Sequence, residues 1–317
     1  MNVESKKKLS IIIPTFNRAK VLIETLNSLE NQSYTDWECI IIDDQSSDNT
    51  EQIVNSLQIK DDRFKFFRRP DNLKKGANSC RNYGFTLAKG DWIHFMDSDD
   101  LYFDDALKIY SSFFSNSKDV VVAKIQVFDI NSNSIIRETT IDSNNLIEDY
   151  FTNKVTFYVS GPVWNKKFLD RQNQIFDDSI SNLDDWDFNL RMLYSKPNVK
   201  LINQPLIQYR VSHDSLSQEI SKLNLSEIQS ELFARNKHLE LLSKNQDINH
   251  NQLKRFIKDR HKDFFKAAVL SNNSNKNYFF INLLKQQFKL FDFKGILKTV
   301  TAYYSYLFFK KGYKLLS

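Results

Sequence analysis

Glycine is scarce in this chain, and its positions exclude two common phosphate-binding loops. The 317 residues contain six glycines, namely Gly76, Gly84, Gly90, Gly161, Gly295 and Gly312. No two of them are separated by a single residue, so the dinucleotide fingerprint G-x-G-x-x-G is absent, and so is a glycine-rich P-loop. Protein classes that depend on either loop are therefore excluded.

Cysteines and long apolar runs are also rare. The two cysteines, Cys39 and Cys80, lie in stretches predicted to be a buried strand and a helix, which favours a reducing compartment over a disulfide scaffold. The apolar run 9–13 ends at Pro14 and is too short for a signal-peptide core. The longest apolar candidate, 299–309, has about half of the ~20 residues that a membrane span needs. We predict a cytoplasmic protein.

The positive charge of the chain is concentrated near its end. The formal net charge is +5, but residues 276–317 contain eight lysines and a single acid, Asp292, and so carry +7. The remainder of the chain is therefore close to −2. Because the basic residues are confined to the tail and interleave with apolar positions at helical spacing, we do not expect nucleic-acid binding.

Strand-like and helical patterns alternate through the first half of the chain. Short apolar runs predict strands at 9–14, 38–43, 64–68, 92–96 and 120–128. Helical spacing predicts helices at 20–31, 48–57, 76–88 and 104–114. This alternation predicts an α/β fold with a doubly wound, mostly parallel sheet flanked by helices, whose ligands bind at the carboxyl ends of the strands. Beyond about residue 216 the pattern is helical.

The first of three acidic clusters follows the second predicted strand. Asp43 and Asp44 end that strand, where carboxylates can accept hydrogen bonds from a nucleotide base or ribose. The alternative is a polar helix entry, with Asp48 as N-cap, in which these residues have only a structural role.

The second cluster follows the fourth predicted strand. Asp97, Asp99 and Asp100 place three acids within four positions, and their mutual repulsion is relieved by a divalent cation. Mg²⁺ and Mn²⁺ prefer a few carboxylates together with water and phosphate oxygens. A solvated acidic turn is the alternative.

The third cluster begins a predicted helix. Trp186, Leu190 and Leu193 suit one helix face, which places Asp184 and Asp185 in the first turn, where the helix dipole favours acids. An ordinary acidic N-terminus explains them equally well. A carboxylate with a raised pKa at this place could instead act as a general base.

These segments, in this order, resemble family 2 glycosyltransferases of the GT-A fold. The resemblance covers about residues 9–217. It is carried by the segments 10–17 (SIIIPTFN), 37–48 (WECIIIDDQSSD), 88–100 (AKGDWIHFMDSDD) and 184–187 (DDWD), with Arg81 and Asn82 upstream of the third. It implies a nucleotide-sugar-binding catalytic domain at 1–216 and a helical, basic, aromatic-rich region at 217–317.

The resemblance implies roles for residues of the first two segments. The nucleotide would be contacted by the backbone of Pro14 and Thr15, with Asn17 in the same loop. Asp44 would accept a hydrogen bond from the base, with Asp43 beside it.

Further along the chain, the resemblance assigns the metal and the chemistry. Asp97 would meet the ribose or sugar and could share the metal, and Asp99 would ligate it. Asp185 would deprotonate the acceptor hydroxyl, which implies a single displacement with inversion.

Arg81 is a candidate for binding the diphosphate or the donor sugar, unless it is a surface arginine. His213 resembles a metal-proximal histidine but lies one position later than the commonest spacing, so a plain loop histidine is an equal alternative.

The implied activity is that of an inverting glycosyltransferase that depends on Mn²⁺ or Mg²⁺. Its donor would be a nucleotide-diphospho-sugar, with UDP favoured. Its acceptor would be a hydroxyl of a glycan or lipid-linked molecule in bacterial polysaccharide or glycoconjugate synthesis. The transferred group would be a hexose or N-acetylhexosamine. A catalytically inactive sugar-nucleotide-binding or scaffold protein is the main alternative, and the retained acids Asp99 and Asp185 speak against it. A nucleotidyltransferase usually has a glycine-rich loop, which this chain lacks.

The tail has two competing interpretations. Ile296, Val300, Tyr304 and Leu307 follow helical spacing. Lysines accompany them at Lys298, Lys310, Lys311 and Lys314. A basic amphipathic helix with aromatic residues can lie in an anionic membrane interface, which would make the protein peripheral to the membrane. Alternatively, these aromatics pack on protein.

Overall fold

The computed structural model describes residues 7–212 and 216–309. The chain divides into two compact units, Met1–His213 and Asp214–Ser317. The sequence places this boundary three residues later. His213 and the lysines beyond residue 309 lie outside the described residues, so their predicted roles stay predictions.

The described part of the first unit is built on one nine-stranded sheet. Its strands are β1 (Leu9–Thr15), β2 (Trp37–Asp43), β3 (Phe64–Arg68), β4 (Trp92–Phe95), β5 (Leu101–Tyr102), β6 (Val120–Asp129), β7 (Ser134–Glu138), β8 (Pro162–Asn165) and β9 (Val199–Val211). The order is β3-β2-β1-β4-β8-β6-β9-β5, with β7 paired to β6. The α/β fold with helices on the sheet confirms the predicted fold class.

The first four predicted strands form a parallel part of the sheet, and the fifth, β6, lies in its mixed part. β1 pairs in parallel with β2 and β4, and β2 with β3. Beyond β4 the sheet is mixed: β8 is antiparallel to both β4 and β6, while β6 and β9 are parallel. The sequence patterns missed β5, β7, β8 and β9. β7 is exposed at every position, and β9 contains several polar residues, so neither shows the apolar run of a buried strand.

Seven helices are described in the first unit. They are α1 (Ala19–Glu30), α2 (Thr50–Lys60), α3 (Ala77–Leu87), α4 (Ala106–Ser111), α5 (Leu146–Phe151), α6 (Lys166–Leu169) and α7 (Asp184–Tyr194). The proposed N-cap of the second helix is wrong by one position, since Asn49 is the capping residue. Asp48 instead accepts from the backbone N–H groups of Thr50 and Ala19, at 3.1 Å each, and so ties the starts of α1 and α2 together.

Close packing of α3 on the sheet depends on Gly84. A Cβ added there would lie 2.5 Å from Cγ2 of Ile12, a fully buried residue of β1. The absence of a side chain at Gly84 therefore sets how closely α3 can pack on the sheet.

Cys39 on β2 and Cys80 on α3 are buried free thiols, in the strand and helix that the sequence predicts.

The described part of the second unit is entirely helical. Its helices are α8 (Leu216–Ser221), α9 (Leu225–Leu242), α10 (His250–Leu270), α11 (Lys276–Lys289) and α12 (Phe293–Phe309). Their core contains Phe265, Leu283 and Ala302. No helix within the described ranges combines the length and apolar character needed to cross a bilayer.

The face of α12 that enters this core differs from the apolar stripe noted in the sequence. The helix buries Thr299, Ala302, Tyr303 and Tyr306. The predicted stripe of Ile296, Val300, Tyr304 and Leu307 lies beside that face, and Tyr304 and Leu307 are exposed. The helix therefore has two apolar faces, and both interpretations of the predicted stripe, a membrane interface and packing on protein, stay predictions.

Candidate active site

The carboxyl ends of the parallel strands place the predicted residues at one edge of the sheet. Thr15, the last residue of β1, is in register with Asp43, the last residue of β2, and Asp43 is in register with Arg68 on β3. Pro14 precedes Thr15 in β1. The loop containing Asp97 follows β4 directly. The α/β topology thus gathers the first two acidic clusters, as the sequence predicts.

Asn17 joins the loops that follow β1 and β2. Its backbone has a positive φ of 50°, and its N–H donates to Ser46 Oγ at 2.8 Å. The Ser47 N–H donates in return to Asn17 Oδ1 at 2.8 Å. Because its side-chain oxygen is used in this way, Asn17 stabilises this end of the site, where the loops after β1 and β2 meet.

Two buried polar atoms at this end have no hydrogen-bond partner in the structure. They are Thr15 Oγ1 and Asp43 Oδ1. The other carboxylate oxygen of Asp43 accepts from the Ser46 N–H at 3.0 Å. Buried polar atoms without partners are uncommon and costly, so a ligand that supplies hydrogen bonds here would be stabilised.

Asp44 is occupied by protein groups. Its Oδ1 accepts from the Arg69 guanidinium, and its Oδ2 accepts from the Gly76 N–H at 2.9 Å. Gly76 has φ of 132°, a conformation that favours glycine. Arg69 also donates to the Leu73 carbonyl. Asp44 therefore clasps the loop from Arg69 to Gly76, and its predicted contact with a nucleotide base stays a prediction.

Arg81 links the second and third acidic clusters. Its Nη2 donates to Asp97 Oδ1 at 2.7 Å, and its Nη1 donates to Asp184 Oδ2 at 2.7 Å. The residue is 5% exposed, so it is not a surface arginine. Burial alone would lower its pKa, but Asp97 and Asp184 outweigh burial and raise the pKa above the usual range. Arg81 thus stays charged and holds the two segments together.

Asp99 is paired with a different arginine. Arg18 Nη1 donates to Asp99 Oδ2 at 2.7 Å, and Arg210 donates to the Asp99 carbonyl. Burial and then the charge of Asp97 raise the pKa of Asp99, although Arg18 and Arg210 oppose that rise. The negative charge at Asp99 is therefore only partly compensated.

Asp100 has a structural position. It is fully buried, and its carboxylate accepts from Ser160 Oγ at 2.9 Å and from the Arg210 N–H at 3.2 Å. Burial, together with Asp97 and Asp99, raises its pKa well above the usual range. Asp100 anchors the acidic loop to β9.

Asp185 lies in the first turn of α7. The Trp186 N–H donates to its Oδ1 at 2.7 Å, and the Trp186 indole donates to the Tyr150 carbonyl at 3.0 Å. Burial, then the charges of Asp184 and Asp97, raise the pKa of Asp185 to about 7. A carboxyl group with such a pKa is half deprotonated near neutral pH and suits general base catalysis. We call Asp97, Asp99, Asp184 and Asp185 the acidic cluster.

The acidic cluster suits a hard divalent cation, although the chain supplies few ligands. Within residues 7–212 and 216–309, no group of three or more His, Cys, Asp or Glu side chains is arranged to hold a metal. Mg²⁺ and Mn²⁺ sites commonly use one or two carboxylates and complete their shell with phosphate oxygens and water. The carboxylates of Asp99, whose charge is only partly compensated, and of Asp97 could supply those ligands.

Sequence reasoning missed the arginines of the site. Arg18, Arg69 and Arg210 each bind an aspartate of the predicted motifs through side chain or backbone. Arg18 directly follows Asn17, and Arg69 directly follows β3, so adjacency to the strand ends was the available signal. Arg210 lies in β9, which the sequence did not reveal.

The sequence matches known proteins mainly over the first unit. The profile of glycosyl transferase family 2 matches residues 10–173, just over half of the chain. One relative is the GalNAc(5)-diNAcBac-PP-undecaprenol β-1,3-glucosyltransferase of Campylobacter jejuni, with 44% identity over 100 residues. That alignment covers 32% of this chain and 32% of the relative.

Solved structures share the fold over nearly the whole chain. The structure of S. aureus TarS 1–349 in complex with UDP-GlcNAc superimposes with a TM-score of 0.60 and 18% identity, and the match covers 94% of this chain and 92% of TarS 1–349. The mannosyltransferase PcManGT from Pyrobaculum calidifontis, in complex with GDP-Man and Mn²⁺, gives a TM-score of 0.54 at 11% identity, covering 97% and 89%. These structures show the shared fold, and the match of the family profile to more than half of the chain shows that the chain belongs to glycosyl transferase family 2.

Proposed function

We propose that this protein is an inverting glycosyltransferase that transfers a sugar from a nucleotide-diphospho-sugar to an acceptor hydroxyl. The observation that carries the proposal is the placement of Asp185. This carboxyl group, with a pKa of about 7, lies close enough to Asp184 and Asp97 to be affected by their charges, near the carboxyl ends of the parallel strands, where open α/β sheets bind ligands. A base beside a donor site is what a single displacement requires.

The nucleotide end of the donor would bind at the ends of β1 and β2, where two buried polar atoms have no hydrogen-bond partner among the described residues. We assign Asp43 Oδ1 and Thr15 Oγ1 to the base and ribose, because Asp44 is already paired with Arg69 and Gly76. UDP is the favoured nucleotide, since TarS, with the same fold, is bound to UDP-GlcNAc. The C. jejuni relative is named a glucosyltransferase, which supports a hexose or N-acetylhexosamine as the transferred group.

The diphosphate and sugar would meet the second cluster. Arg81 holds Asp97 in a fixed position, from which the carboxylate can accept from a sugar or ribose hydroxyl. Asp99, with Asp97, would hold Mg²⁺ or Mn²⁺. When bound, that ion neutralises charge on the diphosphate leaving group.

Asp185 would take the proton of the acceptor hydroxyl. The acceptor oxygen attacks the anomeric carbon, the bond from that carbon to the diphosphate oxygen breaks, and the nucleoside diphosphate leaves with the bonding electrons. The proton ends on the Asp185 carboxylate. A single displacement of this kind inverts the anomeric configuration.

The donor and the base can be tested together. Purified protein would be incubated with UDP-, GDP- and dTDP-sugars and Mn²⁺ or Mg²⁺, and nucleoside diphosphate release would be measured for wild type, Asp99→Ala and Asp185→Ala. We expect release with one UDP-sugar and strong loss in both variants. Donor binding without turnover by any acceptor or water would favour the inactive binding protein. Full activity of Asp185→Ala would reject the base assignment.

Two variants test which aspartate, Asp43 or Asp44, contacts the base of the nucleotide. Asp43→Asn should weaken UDP binding with little change in thermal stability, because its Oδ1 bonds no protein group. Asp44→Asn should lower the melting temperature, because it breaks the pair with buried Arg69. Calorimetric titration with UDP and thermal unfolding of both variants give the answer, and the reverse pattern would restore Asp44 as the base contact.

We further propose that the acceptor is lipid-linked and that the protein works at an anionic membrane surface. The C. jejuni relative is named for an undecaprenol-linked acceptor. On α12, apolar side chains recur every three or four residues outside the buried face, from beside it round to the far side of the helix. They are Phe293, Leu297, Val300, Tyr304, Leu307 and Phe308, all exposed except the half-buried Val300. We call this set the outer face of α12.

Exposed lysines near the outer face of α12 support its binding to an anionic membrane surface. Lys294 and Lys298 are exposed on α12, beside the outer face. Phe288 and Phe291, at the preceding turn, are exposed and extend the aromatic surface. Aromatics flanked by lysines are typical of helices that lie in an anionic lipid interface.

The membrane test uses point substitutions, because deleting α12 would remove Ala302 and Tyr303 from the core. Sedimentation with phosphatidylcholine vesicles containing phosphatidylglycerol would compare wild type with Leu297→Glu/Phe308→Glu. The matched control, Ile135→Glu/Ile136→Glu, places the same charges on exposed β7. We expect only the α12 variant to lose binding. Equal binding by all three proteins, or a dimer that the α12 variant dissociates, would reject the membrane proposal.

A further inference from the structure

We propose that Arg18 is a built-in counter-cation that competes with the divalent metal for Asp99 and moves to the donor diphosphate when metal and donor bind together. Metal binding would then depend on the donor. The inference rests on the metal site in the proposed function, but its test needs no sugar transfer.

The Arg18–Asp99 pair has the character of a temporary contact. Arg18 Nη1 lies 2.7 Å from Asp99 Oδ2, and the Arg18 side chain is 38% exposed. Among the described residues, Asp99 is the one acceptor found for the Arg18 guanidinium. A single partly exposed ion pair contributes little to stability, so it can be exchanged for another partner at small cost.

Arg81 provides the contrast within the same cluster. Its side chain is 6% exposed, and it binds Asn78, Asp97 and Asp184 at once. Removing Arg81 from these partners would leave buried charges uncompensated, which is strongly unfavourable. Of the two arginines whose guanidinium groups bind carboxylates of the acidic cluster, Arg18 is therefore the one that can leave.

A metal and Arg18 cannot both use Asp99 fully. A guanidinium and a divalent cation on one carboxylate would stand a few ångströms apart and repel each other. Each cation therefore lowers the affinity of the site for the other.

The position of Arg18 gives it a second partner. Arg18 lies between Asn17, which shapes the nucleotide loop, and the start of α1. Its side chain thus spans from the nucleotide end of the site to Asp99. A guanidinium binds phosphate oxygens through paired hydrogen bonds, so a diphosphate next to Asp99 offers Arg18 a replacement for the carboxylate.

Direct measurement of Mn²⁺ binding tests the competition. The full chain would be titrated with Mn²⁺ in the absence of nucleotide, and free Mn²⁺ would be followed by electron paramagnetic resonance. We expect Arg18→Ala to bind Mn²⁺ roughly three- to tenfold more tightly than wild type, as expected for loss of a partly exposed pair and of a nearby positive charge. Asp99→Asn, combined with Arg18→Ala, should abolish that gain.

The control variant is Arg171→Ala. Arg171 is also an exposed arginine paired with an aspartate, Asp119, at 3.4 Å. Asp119 precedes β6 at the opposite edge of the sheet from Asp99. We expect its substitution to leave the Mn²⁺ affinity unchanged.

Repeating the titrations with UDP tests the transfer to the diphosphate. In wild type, UDP should increase Mn²⁺ affinity by a larger factor than in Arg18→Ala, because UDP draws Arg18 away from Asp99. Unchanged or weaker Mn²⁺ binding by Arg18→Ala, a gain that survives Asp99→Asn, or an equal UDP effect in both proteins would each overturn the inference. If the proposed glycosyl transfer were absent, the Mn²⁺ affinities would still decide this question.

Discussion

The two units bury charge in opposite ways. In the first unit, four carboxylates of the acidic cluster share Arg81 and Arg18, and the pKa values of Asp99, Asp184 and Asp185 are raised. In the second unit, Glu231 is bound by both Arg235 and Arg260, at 2.9 and 2.8 Å.

The pKa of Glu231 moves in the other direction. Burial would raise it, but Arg260 and Arg235 outweigh burial and lower it. A buried network with excess acid is incomplete without another cation, whereas one in which two arginines surround one acid needs no further ligand. The difference teaches that the balance of charge, more than burial itself, distinguishes a binding site from a structural ion pair.

The largest expected effect would test the functional side of this comparison. Asp185→Asn should lower kcat by about 10²- to 10⁴-fold, because the amide cannot accept the acceptor's proton. Donor binding should persist. The measurement is steady-state kinetics together with calorimetric titration. Asp178→Asn, an exposed aspartate outside the cluster, serves as the control, and a loss shared by both variants would show that the effect is not specific to the base.

Breaking the structural ion pairs of the second unit should change stability without changing the catalytic rate. Glu231→Gln leaves Arg235 and Arg260 without their carboxylate and should cost about 3–5 kcal/mol of unfolding free energy in the second unit. All four tryptophans, Trp37, Trp92, Trp164 and Trp186, belong to the first unit.

Tryptophan fluorescence therefore follows the first unit, and far-UV circular dichroism follows all helices. We expect denaturant to shift the dichroism transition of Glu231→Gln more than the fluorescence transition, with kcat per folded molecule unchanged. Equal shifts of both transitions would mean that the units unfold together.

The pH dependence of the rate should follow the acidic cluster. Because the base works when deprotonated, kcat should fall about tenfold per pH unit below pH about 7, the pKa of Asp185, and level off above it. A pH series with a buffer-matched ionic strength measures this. A flat profile across that range would remove Asp185 from the proton transfer.

The smallest effect is a difference in how pH acts on stability. The folded pKa of Asp185 is raised, so the folded state binds more protons than the unfolded state, and stability falls as pH rises between about 4 and about 7. Asp185→Asn should remove that loss and raise the melting temperature by a few degrees at pH about 8 but not at pH about 4.

The contribution of Glu231 to stability changes with pH in the opposite direction. Its folded pKa is lowered, so its contribution is present above its unfolded pKa of about 4.3 and is lost as pH falls through the folded value. Glu231→Gln should therefore destabilise most at neutral pH. Parallel pH profiles for the two variants would erase the proposed distinction between the networks.

The sequence predicted the elements that have strong local signals. β1 to β4 are apolar runs of four to seven residues, and their order placed Asp43 and Asp97 at the same edge of the sheet. The helix that carries Asp185 was visible from Trp186, Leu190 and Leu193, all buried. Local pattern and parallel topology were sufficient for these features.

Features that depend on long-range partners could not be predicted. β8 is four residues long and is a strand because β4 and β6 flank it. Arg81 sits on a helix of mixed polarity, and only contacts 16 and 103 residues away show that it is buried between Asp97 and Asp184. Likewise, no local pattern reveals that Asp44 pairs with Arg69 while Asp43 keeps a free oxygen.

Gly84 has a practical consequence for variant libraries aimed at the proposed donor site. It lies one helical turn beyond Arg81 on α3, pressed against Ile12. Any side chain there would push the helix outward and displace the arginine that organises Asp97 and Asp184. Variant libraries for donor engineering should therefore hold position 84 constant and place their diversity in the loops, where the backbone can yield without moving α3.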